Sequence, residues 1–542
     1  MYGVFISFDK CETLPLCGVV PLFACNLAIS VPKGVLVFLH FVGSAGCSLA
    51  EWAGGGFAVC ESQFLAILAV AGETTVLLGL RGKVSQCLDC AEKWRTFVPH
   101  TRAMSPATLY YIMTRRISFA ILLATFFATL PLAAQVRFDE WFCDTTLRLN
   151  YIFAGTNTTQ DIALHTMACT PSWAGRRVNL DTLLLAGNGQ VELTDSASGK
   201  RIYITSFSTL FQEWQHSEEA TRVRKAFETV QLVPMPRRTC FATVRLYDSR
   251  RRIVAELTHT VSPHDILIRR GKASSPYAVT QLAGGAPQAG IDLVYVAEGY
   301  TAAQHDLFLS DARTAMEALF DHEPFGQLRD RFNIRALFVP SEREDVSRPG
   351  EGMWHETPCR SHFHTLYSDR YLMTEHLFGL YDLLEGVPVE HVIVLANTKT
   401  YGGGGIYNLY AMTSARQAWF RPVVVHEFGH SFAGLADEYF YDDQYETFYP
   451  SGVEPWEPNL TTLADFSQKW PHLLKDSAAL AEGVSVFEGG GYQSKGVYRP
   501  SNNCRMHTNQ YPVFCPVCRE AIDRAVRYHT EPLAAPATDS AH

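Results

Sequence analysis

The first half of the chain alternates apolar and polar residues with a period of two. The pattern is clear in "LRLNYIF" (147–153), "FATVRLYD" (241–248) and "RIVAELTHTV" (252–261). Such alternation is typical of strands that bury one face. One helical interruption is expected at "SEEATRVRKAF" (217–227). These residues therefore predict a β-sandwich-like N-terminal domain over residues 135–268.

The pattern changes near residue 290, where strand-like and helix-like segments begin to alternate. Continuous apolar runs predict buried strands, and longer amphipathic runs predict helices. Alternation of the two favours an α/β layer with partly parallel strands. The strands are expected in "IDLVYVAEGY", "FNIRALFVPS" and "EHVIVLAN", and the helices in "AAQHDLFLSDARTAMEALF" (302–320) and "LMTEHLFGLYDLL" (372–384).

Domain boundaries follow from these changes in the pattern of apolar and polar residues. Residues 269–290 are rich in Gly, Ala, Ser and Pro and are expected to form a linker. Residues 291–530 form the second domain and residues 531–542 a tail. The prediction is an α+β multidomain protein, in which a β-sandwich-like domain precedes an α/β domain.

Composition narrows the class of protein. A chain of 542 residues is too long for one ordinary core. A hydrophobic content of 47% with 19% charged residues is that of a globular protein. The net charge is -9 and no long basic block is present. Nucleic acid is therefore not expected as a partner.

A targeting segment lies inside the chain, at "MTRRISFAILLATFFATLPLAAQ" (113–135). Arg115 and Arg116 form its positive start, and small residues precede Gln135. Its apolar run of about 14 residues is shorter than the ~20 that a bilayer requires. Residues 113–134 are therefore predicted to be a signal peptide. The mature chain would be exported to the periplasm, the cell surface or the medium, with no stable membrane span.

Residues 1–112 precede this signal and show no clear helix or strand period. A complete signal peptide that begins at Met113 suggests that translation starts there. The hypothesis is that residues 1–112 come from a misplaced start and are not part of the natural product. A membrane-embedded N-terminal region is the alternative.

Candidate chemistry is concentrated in "HEFGHSFAGLADEY" (426–439). His426 and His430 are four residues apart, so a helix would place both imidazoles on one face, about 6 Å apart along its axis. Two such imidazoles can share one zinc ion, and Glu427 can reach a water on that ion as a general base. An amphipathic helix with two surface histidines would need no metal. The apolar run before the motif instead favours a buried helix and a metal site.

A catalytic zinc needs a third protein ligand. Gly434 can end the helix in a left-handed conformation, after which the chain can turn back to the ion. Asp437 is preferred as the third ligand because its side chain is short, and Glu438 is the competing candidate. The acid that does not bind the metal is expected to orient a ligand histidine through its second nitrogen.

Two further segments have candidate roles. "NNCRMHTNQYPVFCPVC" (502–518) contains Met506, which could form a methionine turn below the metal or be an ordinary core residue. Its cysteines favour a disulfide from Cys504 to Cys515 or Cys518. "YGGGGIYNLYAM" (401–412) is either an edge strand that pairs with an extended substrate or a flexible hairpin tip.

Together, "HEFGHSFAGLADEY", "NCRM…FCPVC", "YVAEGYT" and "FSTLFQEW" resemble the bacterial immunoglobulin A peptidase family of secreted zinc metalloendopeptidases. The resemblance covers about residues 136–527. It implies a metzincin-like α/β zincin domain after the β-rich domain, with one zinc per chain, a protein or peptide substrate, His426, His430 and Asp437 as ligands and Glu427 as base. The spacing from the second histidine to the glycine and the third ligand is one residue longer than the metzincin pattern. The family name does not define the substrate.

Two other functions remain compatible with these residues. A catalytically silent protein could use the β-rich domain to bind protein or glycan, although such a protein would be free to lose Glu427. A zinc hydrolase could act on a non-peptide bond, because the same activated water attacks several kinds of carbonyl.

Overall fold

The structure is a computed structural model. It describes residues 135–285, 290–442 and 448–533 with their side chains, and the backbone of five strands within the first 83 residues. The predicted signal peptide at 113–134 and the tail beyond residue 533 lie outside the described residues.

The chain divides into two compact units, Met1–Leu132 and Ala133–His542. The first unit contains an antiparallel sheet in which neighbours in sequence are neighbours in space. Strands therefore occur where the sequence showed no clear period. They are β1 (Phe5–Thr13), β2 (Leu22–Val31), β3 (Val35–Gly46), β4 (Glu61–Val70) and β5 (Thr74–Lys83).

The second unit begins with the β-rich domain, which forms two four-stranded sheets in the orders β10-β6-β7-β13 and β12-β11-β8-β9. Two short helices, α1 (Phe138–Trp141) and α2 (Leu210–Trp214), accompany them. The strands are β6 (Phe142–Gly155), β7 (Gln160–Pro171), β8 (Gly189–Asp195), β9 (Arg201–Phe207), β10 (Lys225–Pro236), β11 (Cys240–Tyr247), β12 (Ile253–Val261) and β13 (Arg269–Arg270).

Both sheets of this domain contribute to one apolar core. Leu149 and Phe153 of the first sheet and Val191 and Val244 of the second are fully buried in the same cluster. The rings of Phe153 and Phe207 stack across the two sheets with centroids 6.1 Å apart. The arrangement matches the expected β-sandwich-like domain, since alternate side chains of each strand face the shared interior.

Two local expectations in this region are wrong. Residues 217–227, expected to be a helix, contain only a short 3-10 turn (Glu219–Thr221) before β10 begins at Lys225. The expected linker at 269–290 also contains structure, because β13 joins the sandwich and β14 (Ala278–Ala283) joins the next sheet. Small residues there are compatible with edge strands as well as with a linker.

The next domain is built on a six-stranded sheet in the order β14-β16-β15-β17-β19-β18. The four inner strands are parallel, and the two edge strands, β14 and β18, are antiparallel to their neighbours. Beyond β14, the strands are β15 (Ile291–Glu298), β16 (Phe332–Phe338), β17 (His391–Ala396), β18 (Gly403–Ile406) and β19 (Tyr410–Ser414).

Helices cover this sheet, as the alternating pattern predicted. The expected helix at 302–320 is present as a 3-10 turn followed by α3 (His305–Phe320). The expected helix at 372–384 is shorter and forms α4 (Leu377–Leu383). The remaining elements are α5 (Phe420–Ala433), β20 (Phe440–Tyr441), α6 (Ser477–Ala481), β21 (Phe487–Gly490), β22 (Tyr492–Arg499) and α7 (Pro516–Thr530).

The sandwich and the six-stranded sheet share a continuous apolar cluster. Val233 and Val244 of the sandwich belong to the same cluster as Val294 and Leu337 of the sheet. The two domains therefore pack directly on each other. Within the part of the chain that the structure describes, no helix is long and apolar enough to cross a membrane.

Candidate metal centre

Helix α5 carries both motif histidines and is buried on most of its surface. Val424, Val425 and Phe428 are nearly inaccessible to solvent, and the rings of Phe428 and Phe432 stack with centroids 5.0 Å apart. A helix that is apolar around most of its circumference must lie inside a protein. The structure thus places His426 and His430 on a fixed element, with 12% and 15% of their side chains exposed.

The chain leaves this helix at Gly434, which adopts a left-handed conformation with φ of 60°. The Gly434 N–H donates to the His430 carbonyl, and the Leu435 N–H donates to the Gly429 carbonyl at 3.2 Å. This hydrogen-bond pattern is a common helix ending, and glycine adopts the required φ without a steric penalty. The turn brings Asp437 back over the end of α5.

Three side-chain atoms converge at this point. The Nε2 atoms of His426 and His430 are 3.0 Å apart. Asp437 Oδ1 lies 3.0 Å from the first and 3.4 Å from the second. Zinc bonds of about 2.0–2.1 Å at a tetrahedral angle would hold ligand atoms about 3.3 Å apart. The three atoms are therefore spaced as ligands of one small metal ion.

The hydrogen bonds of the two rings leave these three atoms as electron-pair donors. His426 Nδ1 donates to the Arg505 carbonyl at 3.0 Å, and His430 Nδ1 donates to the Leu435 carbonyl at 2.5 Å. In neutral imidazoles each Nε2 then carries a lone pair. Among the described residues, Asp437 Oδ1 is buried without a hydrogen-bond partner. A buried carboxylate oxygen without a hydrogen-bond partner requires a proton or a cation beside it.

The pKa values of His430 and Asp437 also indicate that opposite charges meet at this position. Burial alone would lower the pKa of His430, but the Asp437 carboxylate raises it to about 9. Burial would raise the pKa of Asp437, yet His430 holds it well below its usual range. The Tyr492 hydroxyl donates to the other oxygen, Asp437 Oδ2, and so fixes the rotation of the carboxylate.

Glu427 lies beside the centre, on the side of the glycine-rich strand β18. One of its carboxylate oxygens is within 4.8 Å of a ring nitrogen of both histidines. A methyl group on Gly403 would come within 2.9 Å of Glu427 Oε1, and one on Gly405 within 2.3 Å of the Glu427 carbonyl. The glycines thus allow the close approach of backbones that their sequence predicted.

The hairpin that follows this strand is anchored at several points. Asn408 donates from its backbone to the Ser431 carbonyl of α5 at 2.7 Å. Its side-chain amide donates to Thr205 Oγ1 and the Ser206 carbonyl of the sandwich, both at 2.9 Å. The hairpin tip is therefore held between two domains, which argues against the alternative of a flexible tip.

Glu438 does not orient a histidine, contrary to the expectation for the second acid. His426 and His430 donate to backbone carbonyls instead. Glu438 points the opposite way from Asp437, where its Oε1 accepts from Asn459 Nδ2 at 3.0 Å. Asp437 and Glu438 are adjacent in the sequence but therefore face different groups of side chains.

Met506 lies directly below the histidine helix. It is fully buried, and its Sδ would lie 3.0 Å from a methyl group placed on Gly429. The expected disulfide is absent: Cys504 Sγ and Cys518 Sγ are 3.7 Å apart, and the seven cysteines of the described residues are all free. A disulfide would require a sulfur–sulfur distance of about 2.05 Å.

The centre opens into a cleft of about 1500 Å³ between the sandwich and the sheet domain. Glu213, on helix α2 of the sandwich, lies on one wall and accepts a hydrogen bond from the Tyr371 hydroxyl. Burial raises the pKa of Glu213 to about 7. Arg370 supplies positive charge on the same cleft and donates to the Tyr441 hydroxyl at 2.6 Å.

Sequence reasoning did not single out these cleft residues. Glu213, the adjacent pair Arg370 and Tyr371, and Tyr492 come from three separate segments and show no spacing relative to the histidine motif. The signal that could have found Glu213 was its place within "FSTLFQEW", which carries part of the resemblance. Its chemical role was not evident from that stretch alone.

Comparison with known families gives two matches. The profile described as IgA Peptidase M64 matches residues 280–483 and 473–526, and the profile described as Peptidase M64 N-terminus matches residues 137–258. The chain belongs to the M64 peptidase family. The M64 matches cover most of the sandwich and of the sheet domain and include every residue of the candidate centre. No curated protein matches the chain.

Membership of M64 makes the protein a peptidase, with proteins or peptides as its substrates. The match of the separate M64 N-terminus profile to residues 137–258 identifies the sandwich as a family feature. The resemblance inferred from short motifs is therefore confirmed at the level of the family.

Proposed function

We propose that this M64 peptidase is a zinc-dependent endopeptidase whose single catalytic zinc is bound by His426, His430 and Asp437. One observation carries the proposal: three lone-pair atoms converge within 3.4 Å of one another. Imidazole nitrogen and carboxylate oxygen are the donor set of many catalytic zinc sites. Three protein ligands leave a fourth position for water, as catalysis requires.

When bound, zinc would lower the pKa of a water molecule towards ~7 and polarise the scissile carbonyl. Glu427 would accept a proton from the attacking water at its carboxylate oxygen. It would then deliver that proton to the nitrogen of the leaving amine. Its place against β18, within 4.8 Å of both histidine rings, supports this role.

The edge strand β18 is the proposed docking site for the substrate backbone. It is the last strand of the six-stranded sheet, and Gly403, Gly404 and Gly405 line the cleft. An extended peptide can add to such an edge through main-chain hydrogen bonds. The Gly403 N–H already donates to the Arg370 carbonyl at 3.3 Å, so the substrate backbone would pair with the rest of this edge, close to Glu427.

The arrangement supports two further parts of the proposal. A methionine below the histidine helix and a third ligand after a helix-ending glycine favour a metzincin-like centre. The signal-like segment at 113–134 favours export, with the mature enzyme acting in the periplasm, at the cell surface or outside the cell.

The test is a screen of peptides and of matched esters, with and without a chelator. Chelator-sensitive cleavage inside peptides supports the proposal. Cleavage of esters alone would favour a zinc hydrolase of non-peptide bonds, and binding without turnover would favour a silent binding protein. The retained Glu427 argues against the silent protein, because binding alone does not need a base.

A further inference from the structure

A second group of metal-binding side chains lies close to the histidine centre. Cys504, Cys515, Cys518 and Glu438 each point one potential ligand atom to a common position, and these atoms all lie within 4.8 Å of one another. All four residues are at most 2% exposed. We propose that these four residues bind a second, structural zinc ion through three thiolates and one carboxylate.

The spacing of the atoms fits a tetrahedral ion. Cys504 Sγ and Cys518 Sγ are 3.7 Å apart. Zinc–sulfur bonds of about 2.3 Å would place two thiolates about 3.8 Å apart. Glu438 Oε1 lies 3.1 Å from Cys518 Sγ and 4.0 Å from Cys515 Sγ. Soft thiolates select zinc over magnesium or calcium.

The carboxylate of Glu438 provides an independent indication of a missing cation. Its Oε2 is buried with no hydrogen-bond partner among the described residues. Its Oε1 accepts from Asn459, and Asn459 in turn holds Ala436 through both its side-chain oxygen and its side-chain nitrogen. The acid is therefore fixed in position by a rigid amide and directed at three thiols. A buried carboxylate of this kind needs a metal or a proton.

The sulfur atoms have the surroundings of metal-bound thiolates. The N–H groups of Met506 and Cys515 both donate to Cys504 Sγ, at 3.4 and 3.3 Å. Cys515 and Cys518 flank the first turn of helix α7 in the sequence "CPVC". Backbone donors of this type stabilise negative sulfur and orient it.

The charges around the cluster also favour a bound ion. Three thiolates and one carboxylate exceed the charge of a divalent ion by two. Two buried guanidiniums lie near enough to offset part of that excess by charge attraction, Arg499 toward Glu438 and Arg505 toward Cys504. Arg499 and Arg505 are only 7% and 3% exposed.

The proposed ion would support the catalytic centre from below. Glu438 directly follows the ligand Asp437, and its N–H donates to the Met506 carbonyl at 2.9 Å. Arg505, whose carbonyl orients His426, directly follows Cys504. Binding at the thiolate cluster therefore fixes both segments that position ligands of the histidine centre.

The decisive experiment uses the double variant His426→Ala/His430→Ala, which leaves the thiolate cluster intact. After supply of zinc, this variant should retain one metal ion per chain. Replacement by Co²⁺ should give an intense thiolate-to-cobalt charge-transfer absorption. The signal should be lost in a variant that also carries Cys515→Ser and Cys518→Ser, and kept in one that carries Cys143→Ser, a cysteine outside the cluster.

Three results would overturn the proposal. The histidine variant could hold no stoichiometric metal, or its cobalt form could lack the thiolate band. Thiol titration of the denatured protein could also show two cluster cysteines joined in a disulfide. If the cysteine variants fail to fold, Glu438→Gln still tests the site, because it should weaken metal retention by the histidine variant and shift the cobalt spectrum. Failure of the catalytic proposal would look different, since the parent would then hold only thiolate-bound metal.

Discussion

The two oxygens of Asp437 have different partners, and this difference can be tested at the level of one atom. Oδ1 faces the histidines, while Oδ2 accepts from the Tyr492 hydroxyl. Tyr492→Phe should therefore lower zinc affinity by about 10–100-fold, as is usual when the partner of a ligand is removed. Competitive titration with a chelator measures the change.

The matched control for this variant is Tyr439→Phe. The rings of Tyr439 and Tyr492 are in contact, with centroids 5.4 Å apart, so the control removes a hydroxyl from the same aromatic group. Its affinity should stay close to that of the parent. Equal losses in both variants would show that the Tyr492–Asp437 hydrogen bond does not hold the ligand.

Glu427 and His426 are neighbours with different expected roles. Glu427→Ala should keep stoichiometric zinc and lose turnover by about 10²–10⁴-fold, because a base moves protons without holding the ion. His426→Ala should lose both the metal of this centre and the activity. Metal analysis beside a peptide-cleavage assay separates the two cases, and full activity of Glu427→Ala would refute the proposed mechanism.

Glu213 gives a prediction for pH. Burial raises its pKa to about 7 from an ordinary value of 4.5, so the folded state favours the protonated acid. The stability that this acid contributes is present below about pH 4.5 and is lost as pH rises through about 7. The loss is at most about 3 kcal/mol, and smaller where the cleft admits water.

Removal of this acid should therefore matter most at high pH. Glu213→Gln keeps an acceptor for the Tyr371 hydroxyl but cannot ionise. The melting temperature of the variant relative to the parent should be higher at pH 8 than at pH 5. Thermal unfolding of both proteins at pH 5 and pH 8 measures the effect. If the melting temperatures of variant and parent differ by the same amount at both pH values, Glu213 does not titrate in this range.

The residues that could be predicted from sequence are those with local geometry. His426, Glu427 and His430 lie within about one helical turn. Gly434 marks the end of the helix, after which the chain turns and brings Asp437 back to the histidines. The partners of these residues lie far away in sequence: Tyr492 holds Asp437, and the carbonyl of Arg505 holds His426. Spacing within a motif contains no information about such contacts.

At the level of elements, the contact between β18 and α5 depends on glycine. A methyl group on Gly405 would lie 2.3 Å from the Glu427 carbonyl and 2.9 Å from His430 Cβ. Gly405→Ala must therefore push the strand away from the helix. Overpacking of this kind costs about 1–3 kcal/mol, and activity should fall with it.

Gly379→Ala is the control for this substitution. Gly379 lies inside helix α4, and a methyl group there would meet no atom within 4 Å. Alanine should stabilise the helix by up to about 1 kcal/mol and leave activity unchanged. Denaturant unfolding and peptide cleavage, measured on both variants, check the pair. If the two variants have equal stability and equal activity, β18 can move away from α5 without loss of either.

Element prediction succeeded where a period was long and failed where composition was ambiguous. Helix α3 and the three central strands have strong patterns and lie where expected. At 217–227, good helix formers such as Glu and Ala precede Lys225–Pro236, whose pairing with β6 outweighs their helical preference. Likewise, β14 in the expected linker is stabilised by pairing with β16, which only the folded chain reveals.

For the molecule as a whole, the shared core predicts cooperative unfolding. Val233 of the sandwich and Val294 of the sheet belong to one apolar cluster, so neither domain buries its surface alone. Residues 135–533 should unfold in a single transition, with equal calorimetric and van't Hoff enthalpies. Calorimetry tests this, and two resolved transitions would show that the domains fold independently.

The late position of the segment 504–518 has a consequence for the timing of activity in the cell. The Arg505 carbonyl orients His426, and the Met506 carbonyl receives the N–H of Glu438 beside Asp437. A ribosome that has made only the histidine helix has therefore produced a chain that lacks both of the carbonyls that position the proposed centre. We therefore expect peptide cleavage only after residues 504–518 have also been synthesised and folded against the histidine helix.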